Sequence, residues 1–154
     1  MVTKLRIASA CPGWQAKRDV QPAAAAISPL GVFMSDDSDI VHRRVRNQVM
    51  FWLQRVVDIR RDPTPVDLNE VINQWYDWNV EELSDAQLYG EPAYATKEAL
   101  AARAVREAVE RFCAATPQAI EDSEAAFGLP EWQHLEAAAA HALDVMRVRG
   151  VLPE

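Results

Sequence analysis

Behind Pro130, the residues Trp132, Leu135, Ala139, Leu143 and Met146 recur at intervals of three and four. That spacing lines five apolar side chains along one stripe of an α-helix, whereas in a strand it would scatter them over both faces. Pro130 fits the first helical position, where its missing N–H would have had no partner anyway. The pattern occurs again upstream. Val41, Val45, Val49, Trp52, Leu53 and Val56 define a first long helix reaching about Ile59, and Ser35-Asp36-Asp37-Ser38-Asp39 offers caps and negative charge for its start. Leu68, Val71, Ile72, Trp75 and Trp78 stripe a second helix, for which Thr64-Pro65-Val66-Asp67 supplies a capping Thr64 and a Pro at the first position. Thr96 caps a third, from Lys97 to Ala114, with a buried face read as Leu100, Ala101, Ala104, Val105, Ala108 and Phe112. Its wet face carries the pairs Arg103–Glu107, Arg106–Glu110 and Glu107–Arg111. Thr116-Pro117 repeats the Thr-Pro start and Gly128 ends that segment, so the last helix, closing near Gly150, is the fifth.

Composition favours the same fold class. Alanine supplies much of the 49% apolar content and only five residues are glycine, a balance that suits helices rather than sheet. The expected architecture is all-α: a single-domain bundle of about five helices over residues 35–154, preceded by an irregular arm. Residues 1–34 form that arm, because Pro12, Pro22 and Pro29 interrupt any continuous helix. Lys4 to Ile7 and Leu30 to Met34 leave room in it for one or two short strands. Asn79 to Tyr94 reads as a connection, with one short turn starting at Ser84-Asp85 and a break at Gly90-Glu91-Pro92.

No stretch reaches the ~20 apolar residues that a bilayer span requires, and Lys17, Arg18 and Asp19 break up any leader-like apolar run, so the expectation is a cytoplasmic protein with no membrane association. Cys11 and Cys113 are too few for a disulfide framework and match no zinc spacing. Cys113 falls on the apolar side of its helix and reads as core.

Charge is unevenly distributed. Residues 1–61 hold ten Lys/Arg against five Asp/Glu, whereas residues 62–154 hold six against eighteen. From Asp62 to Thr96 there are eight acids and no Lys or Arg. Such a field repels nucleic acid and draws in basic surfaces. The arginines of the first helix, Arg43, Arg44, Arg46, Arg55, Arg60 and Arg61, form a basic strip. Given the acidic remainder, that strip is expected to face the acidic second helix of this chain or of a second copy, leaving a homodimer open and direct nucleic-acid contact disfavoured.

Nothing in the sequence carries recognisable catalytic chemistry. His134 and His141 are seven apart, which misses the i,i+3 or i,i+4 spacing of a helical metal pair, and they read as half-exposed surface residues with Glu131 one turn earlier. Asp36, Asp37 and Asp39 lack the glycine and glutamate of a calcium loop and read as helix-start residues. Glycine-rich phosphate loops and nucleophile elbows are missing, so neither catalytic residues, a metal nor a cofactor is expected. The remaining candidate is a binding surface. Asn73-Gln74-Trp75-Tyr76-Asp77-Trp78 packs three aromatics into four positions, followed by Glu81, Glu82 and Asp85. Trp75 and Trp78 share a face while Tyr76 points about 100° away. Aromatics ringed by acids suit a hot spot for a basic partner. The expected partner-binding residues are Asp67, Glu70, Trp75, Tyr76, Asp77, Trp78, Glu81, Glu82 and Asp85.

An amphipathic helix with Arg46-Asn47-Gln48-Val49 and Trp52-Leu53, then the acidic segment Trp75 to Glu82, then Ala-rich closing helices, resembles the small acidic immunity proteins of bacterial polymorphic-toxin systems. The resemblance runs over residues 40–150, in texture and not in an invariant motif, and leaves the arm out. It implies an inhibitor that plugs a cationic toxin with an acidic, aromatic-rich surface. Two other expectations stand beside it. One is a phage-encoded inhibitor of a host defence complex with a basic groove. The other, of a different class, is an enzyme or small-ligand binder with a pocket near Glu131, His134 and His141.

Overall fold

The computed structural model describes residues 35–62, 64–117 and 119–154. The arm of residues 1–34, with its expected short strands and Cys11, lies outside them. Six helices and no strand occur among the described residues: α1 (Ser35–Asp58), α2 (Leu68–Trp78), α3 (Asp85–Leu88), α4 (Thr96–Ala115), α5 (Ser123–Phe127) and α6 (Pro130–Arg147). The chain is therefore all-α, with one short helix more than the five expected. None of these helices is long and apolar enough to cross a membrane.

The stripe behind Pro130 forms as its spacing requires: Trp132, Leu135, Ala139, Leu143 and Met146 are all buried, and Pro130 opens the helix. α6 packs against both α4 and α1, and α1 packs in turn against α2. Phe112 of α4 and Phe127 of α5 meet the Trp132 ring at centroid distances of 5.3 and 5.1 Å, so one buried indole joins three helices. On the other side, Trp52 of α1 lies 4.7 Å from Trp75 of α2 and donates its indole N–H to the Val71 carbonyl at 2.7 Å.

Several boundaries and faces differ from expectation. α2 begins at Leu68 and not near Pro65, because Asp67 caps it by accepting from the Asn69 N–H at 2.9 Å. Thr116-Pro117 starts no helix: Thr116 ends α4, its hydroxyl donating back to the Phe112 carbonyl, and α5 starts only after Asp122, which accepts from the Ala125 N–H. α4 is rotated by about one position. Leu100 is 58% exposed and Ala104 is also on the wet face, while Ala102, Val109 and Glu98 face inward beside Cys113, which is buried as expected. Val41 and Trp78 mark the exposed ends of their stripes.

The burial of Glu98 has its cause on α1. Arg46, completely buried, faces it in a two-pronged pair, Nη2 to Oε1 at 2.6 Å and Nε to Oε2 at 3.2 Å. The other Arg46 donors reach the Gly150 carbonyl at 2.8 Å and the Met146 carbonyl at 3.1 Å, capping the open end of α6. Gly150 takes a φ of +66°, a left-handed turn that glycine adopts without strain. Arg149 closes the cluster, donating to Glu98 at 2.9 Å and to the carbonyls of Pro92 and Ala93. Next to it, Asn47 exchanges two 2.9 Å hydrogen bonds with the backbone of Leu152. Arg46, which the sequence places in a basic strip, and its neighbour Asn47 are thus internal struts that strap the C-terminal segment onto α1.

Candidate partner-binding surface

Trp75 cannot touch a partner. It is 1% exposed, packed against Trp52 with the two ring planes tilted by 47°, and belongs to the core. The rest of the acidic aromatic stretch divides according to the direction each side chain takes from α2. Tyr76 is half-buried, its hydroxyl 3.7 Å from the Cys113 Sγ on α4. Asp67 is exposed but engaged as the cap of α2. Its hydrogen bond from the Asn69 side chain holds its carboxyl below the ordinary range. Asp85 is neutralised within the fold, lying 3.2 Å from Arg103 and 3.2 Å from Arg106 of α4. Glu70, Asp77, Trp78, Glu81 and Glu82 remain exposed.

Three of these five, Glu70, Asp77 and Trp78, come together with α1 side chains. Gln48, Phe51, Trp52 and Arg55 of α1 and Glu70, Gln74, Asp77 and Trp78 of α2 line a shallow groove of about 360 Å³. Phe51, 52% exposed, and Trp78, 36% exposed, give it apolar surface. Arg55 enters it held by the Gln74 side chain at 2.7 Å, and Gln74 donates on to Glu70 at 3.4 Å. That is the only α1 arginine whose described contacts reach α2. Arg43 and Arg44 turn to the chain end at Pro153 and Glu154, and Arg61 pairs with Asp58. Among the described residues, the expected contact of the basic α1 face with the acidic α2 face is therefore limited to Arg55 and Gln74.

Phe51 was missed by sequence reasoning, although its signal was present. It lies beside Trp52 but off the Val49–Trp52–Leu53–Val56 stripe, and an aromatic off the buried stripe of a well-defined helix points to solvent.

The C-terminal end of α2 is electrostatically unfavourable for the isolated fold. A helix C-terminus carries partial negative charge and is stabilised by cations there. The last turn of α2 has no basic residue; it carries Asp77, and Glu81 and Glu82 follow within one turn's length. Among the described residues, none of these three carboxylates has an ion-pair partner within 4.0 Å, and the nearby Arg106 donates to the Glu81 and Leu83 carbonyls and to Asp85 instead.

The second groove, about 350 Å³, lies between the end of α1, the 60s loop and α5, and is lined by Arg60, Asp62, Thr64, Val66, Ser123 and Phe127 among others. His134 and His141 are both exposed on α6, and neither of these two grooves reaches them or Glu131. Among the described residues, no three His, Cys, Asp or Glu side chains stand in a metal-binding group. No family model, curated protein or solved structure matches this chain.

Proposed function

We propose that this protein is an inhibitor of the immunity type, which neutralises a basic protein partner through the acidic, aromatic-containing surface of α2 and the segment after it. The observation that carries the reading is the carboxylate group Asp77, Glu81 and Glu82, without an ion-pair partner among the described residues, beside the exposed Trp78 at a helix end that calls for positive charge. Carboxylates left without cations within a fold gain most from a partner that brings them, and complementary charge of this kind accelerates encounter as well as fixing orientation. Exposed aromatic surface beside them adds the apolar contact on which interface affinity usually depends.

The test is affinity capture with the tagged full chain from its native cells at low salt, alongside the double variant Glu81→Lys, Glu82→Lys. The reading requires a basic protein retained by the wild type, released by salt and lost with the variant, whose own activity falls when the wild type is added. If no such protein is retained, or if its activity is indifferent to the chain, the reading fails.

A further inference from the structure

We infer that the α1–α2 groove is the seat for a basic amphipathic helix of the partner, with one large apolar side chain anchored between Phe51 and Trp78 and its Lys or Arg residues set against Asp77, Glu81 and Glu82. This deepens the proposed function and rests on it. The groove runs between two helices, the surroundings into which a third helix packs by the same ridge-and-groove rules that organise a bundle. Its exposed apolar surface comes from Phe51, which lies off the core stripe of α1, and from Trp78, at the exposed end of the α2 stripe.

Charge sets the orientation. Glu70 stands in the first turn of α2 and Asp77 in the last, about 10 Å apart along the axis at ~1.5 Å per residue. At the Glu70 end, Arg55 and Gln74 form a connected polar chain, so the local charge is already balanced. At the Asp77 end, the carboxylates have no ion-pair partner among the described residues, and the helix terminus adds its own partial negative charge. A cationic helix therefore places its positive residues toward Asp77, Glu81 and Glu82, and Arg55 repels them from the other end. An acidic or neutral helix gains nothing from this arrangement.

The experiment uses the full chain and two synthetic amphipathic helical peptides of about four turns, one of Leu and Lys, the other of Leu and Glu. Binding is followed by calorimetry and by amide chemical shifts. The expected result is binding of the Leu/Lys peptide with shifts centred on α1 residues 48–55 and on α2, no binding of the Leu/Glu peptide, and at least about tenfold weakening by Phe51→Ser or Trp78→Ser. Both substituted residues are exposed, so the variants fold, and unchanged melting curves check this. Leu/Lys binding that is indifferent to both substitutions, or equal binding of the two peptides, overturns the proposal. So does self-association of the chain that Trp78→Ser abolishes, which would give the groove to a second copy. Capture of a basic protein that survives Phe51→Ser and Trp78→Ser but not Glu81→Lys, Glu82→Lys would overturn the groove while leaving the proposed function standing.

Discussion

Two buried tyrosines show how differently one hydroxyl can weigh in this fold. The Tyr89 hydroxyl donates to the Asn79 side chain at 2.7 Å, and Asn79 donates in turn to the Trp75 carbonyl at 3.0 Å, tying the segment after α2 to the helix end. The Tyr94 hydroxyl, equally buried, has no hydrogen-bond partner among the described residues. An unsatisfied buried polar group costs about 1–3 kcal/mol, whereas a satisfied bond contributes about 0.5–1.5 kcal/mol. Tyr94→Phe should therefore leave the urea midpoint unchanged or raise it, and Tyr89→Phe should lower it by the equivalent of about 1–2 kcal/mol, since Asn79 is left short of a partner. A larger loss for Tyr94→Phe than for Tyr89→Phe would contradict this account. The Arg46–Glu98 pair behaves on a larger scale. Arg46→Ala breaks the buried pair, leaving the Glu98 carboxylate to Arg149 and the Ala95 N–H, and takes one donor each from the Gly150 and Met146 carbonyls, at an expected cost of about 3–5 kcal/mol. Arg149→Ala should cost clearly less, because its side chain is 35% exposed and Arg46 still faces Glu98.

At the scale of the element, α2 is built for something other than its own stability. Asp67 caps its start well, but its end carries acid where base is favoured. Asp77→Lys should stabilise the free protein by about 0.3–1 kcal/mol in thermal or urea melts at low salt, with the gain shrinking as salt is added. No gain would mean that the charge at this terminus is already screened. The helices also differ in how far their sequence disclosed them. α6 was legible because its stripe mixes Trp, Leu and Met with clearly polar neighbours, so its inner face admits one solution. α4 was not, because twelve of its twenty residues are apolar, Ala included, and lie on nearly every side, and its one buried acid looks like surface until Arg46, fifty-two positions away, is brought to it. The starts of α2 and α5 were displaced for a related reason: each has a Thr-Pro and an Asp in succession, and which one caps depends on tertiary bonds such as Asn69 with Ile120 and Ser123 with Val66. The candidate surface was half legible. Its acids are read directly from the chain, but the inward turn of Trp75 and the arrival of Phe51 depend on how α1 crosses α2.

Over the whole molecule, the titratable groups that fold into defined contacts confine stability to a window of pH. Burial alone would raise the Glu98 carboxyl, but hydrogen bonds from Arg46 and the Ala95 N–H, with the charges of Arg46 and Arg149, outweigh it and hold it below its ordinary value of 4.5. The backbone and hydroxyl of Thr64 lower Asp62, and Asn69 lowers Asp67, both from 3.8. A carboxyl whose folded value is depressed stabilises the fold above its unfolded value, and that contribution is lost as pH falls through the folded value. On the alkaline side, burial raises Tyr89 and Tyr94 above 10.0. Their contribution is complete below about 10 and is lost as pH rises further, because the unfolded tyrosines then ionise while the folded ones resist. Stability from these groups should therefore be flat between about pH 5 and 10 and fall on both sides. Melting temperature measured across that range checks the shape, and two variants assign its limbs. Glu98→Gln should lower the plateau and flatten the acid limb, since the unpaired neutral amide no longer takes up a proton there. Tyr94→Phe should flatten the alkaline limb without lowering the plateau, because the hydroxyl it removes has no hydrogen-bond partner among the described residues. An acid limb of unchanged steepness in Glu98→Gln would shift the acid sensitivity to the exposed carboxylates. The cluster that straps the C-terminal segment to α1 would then hold without regard to pH.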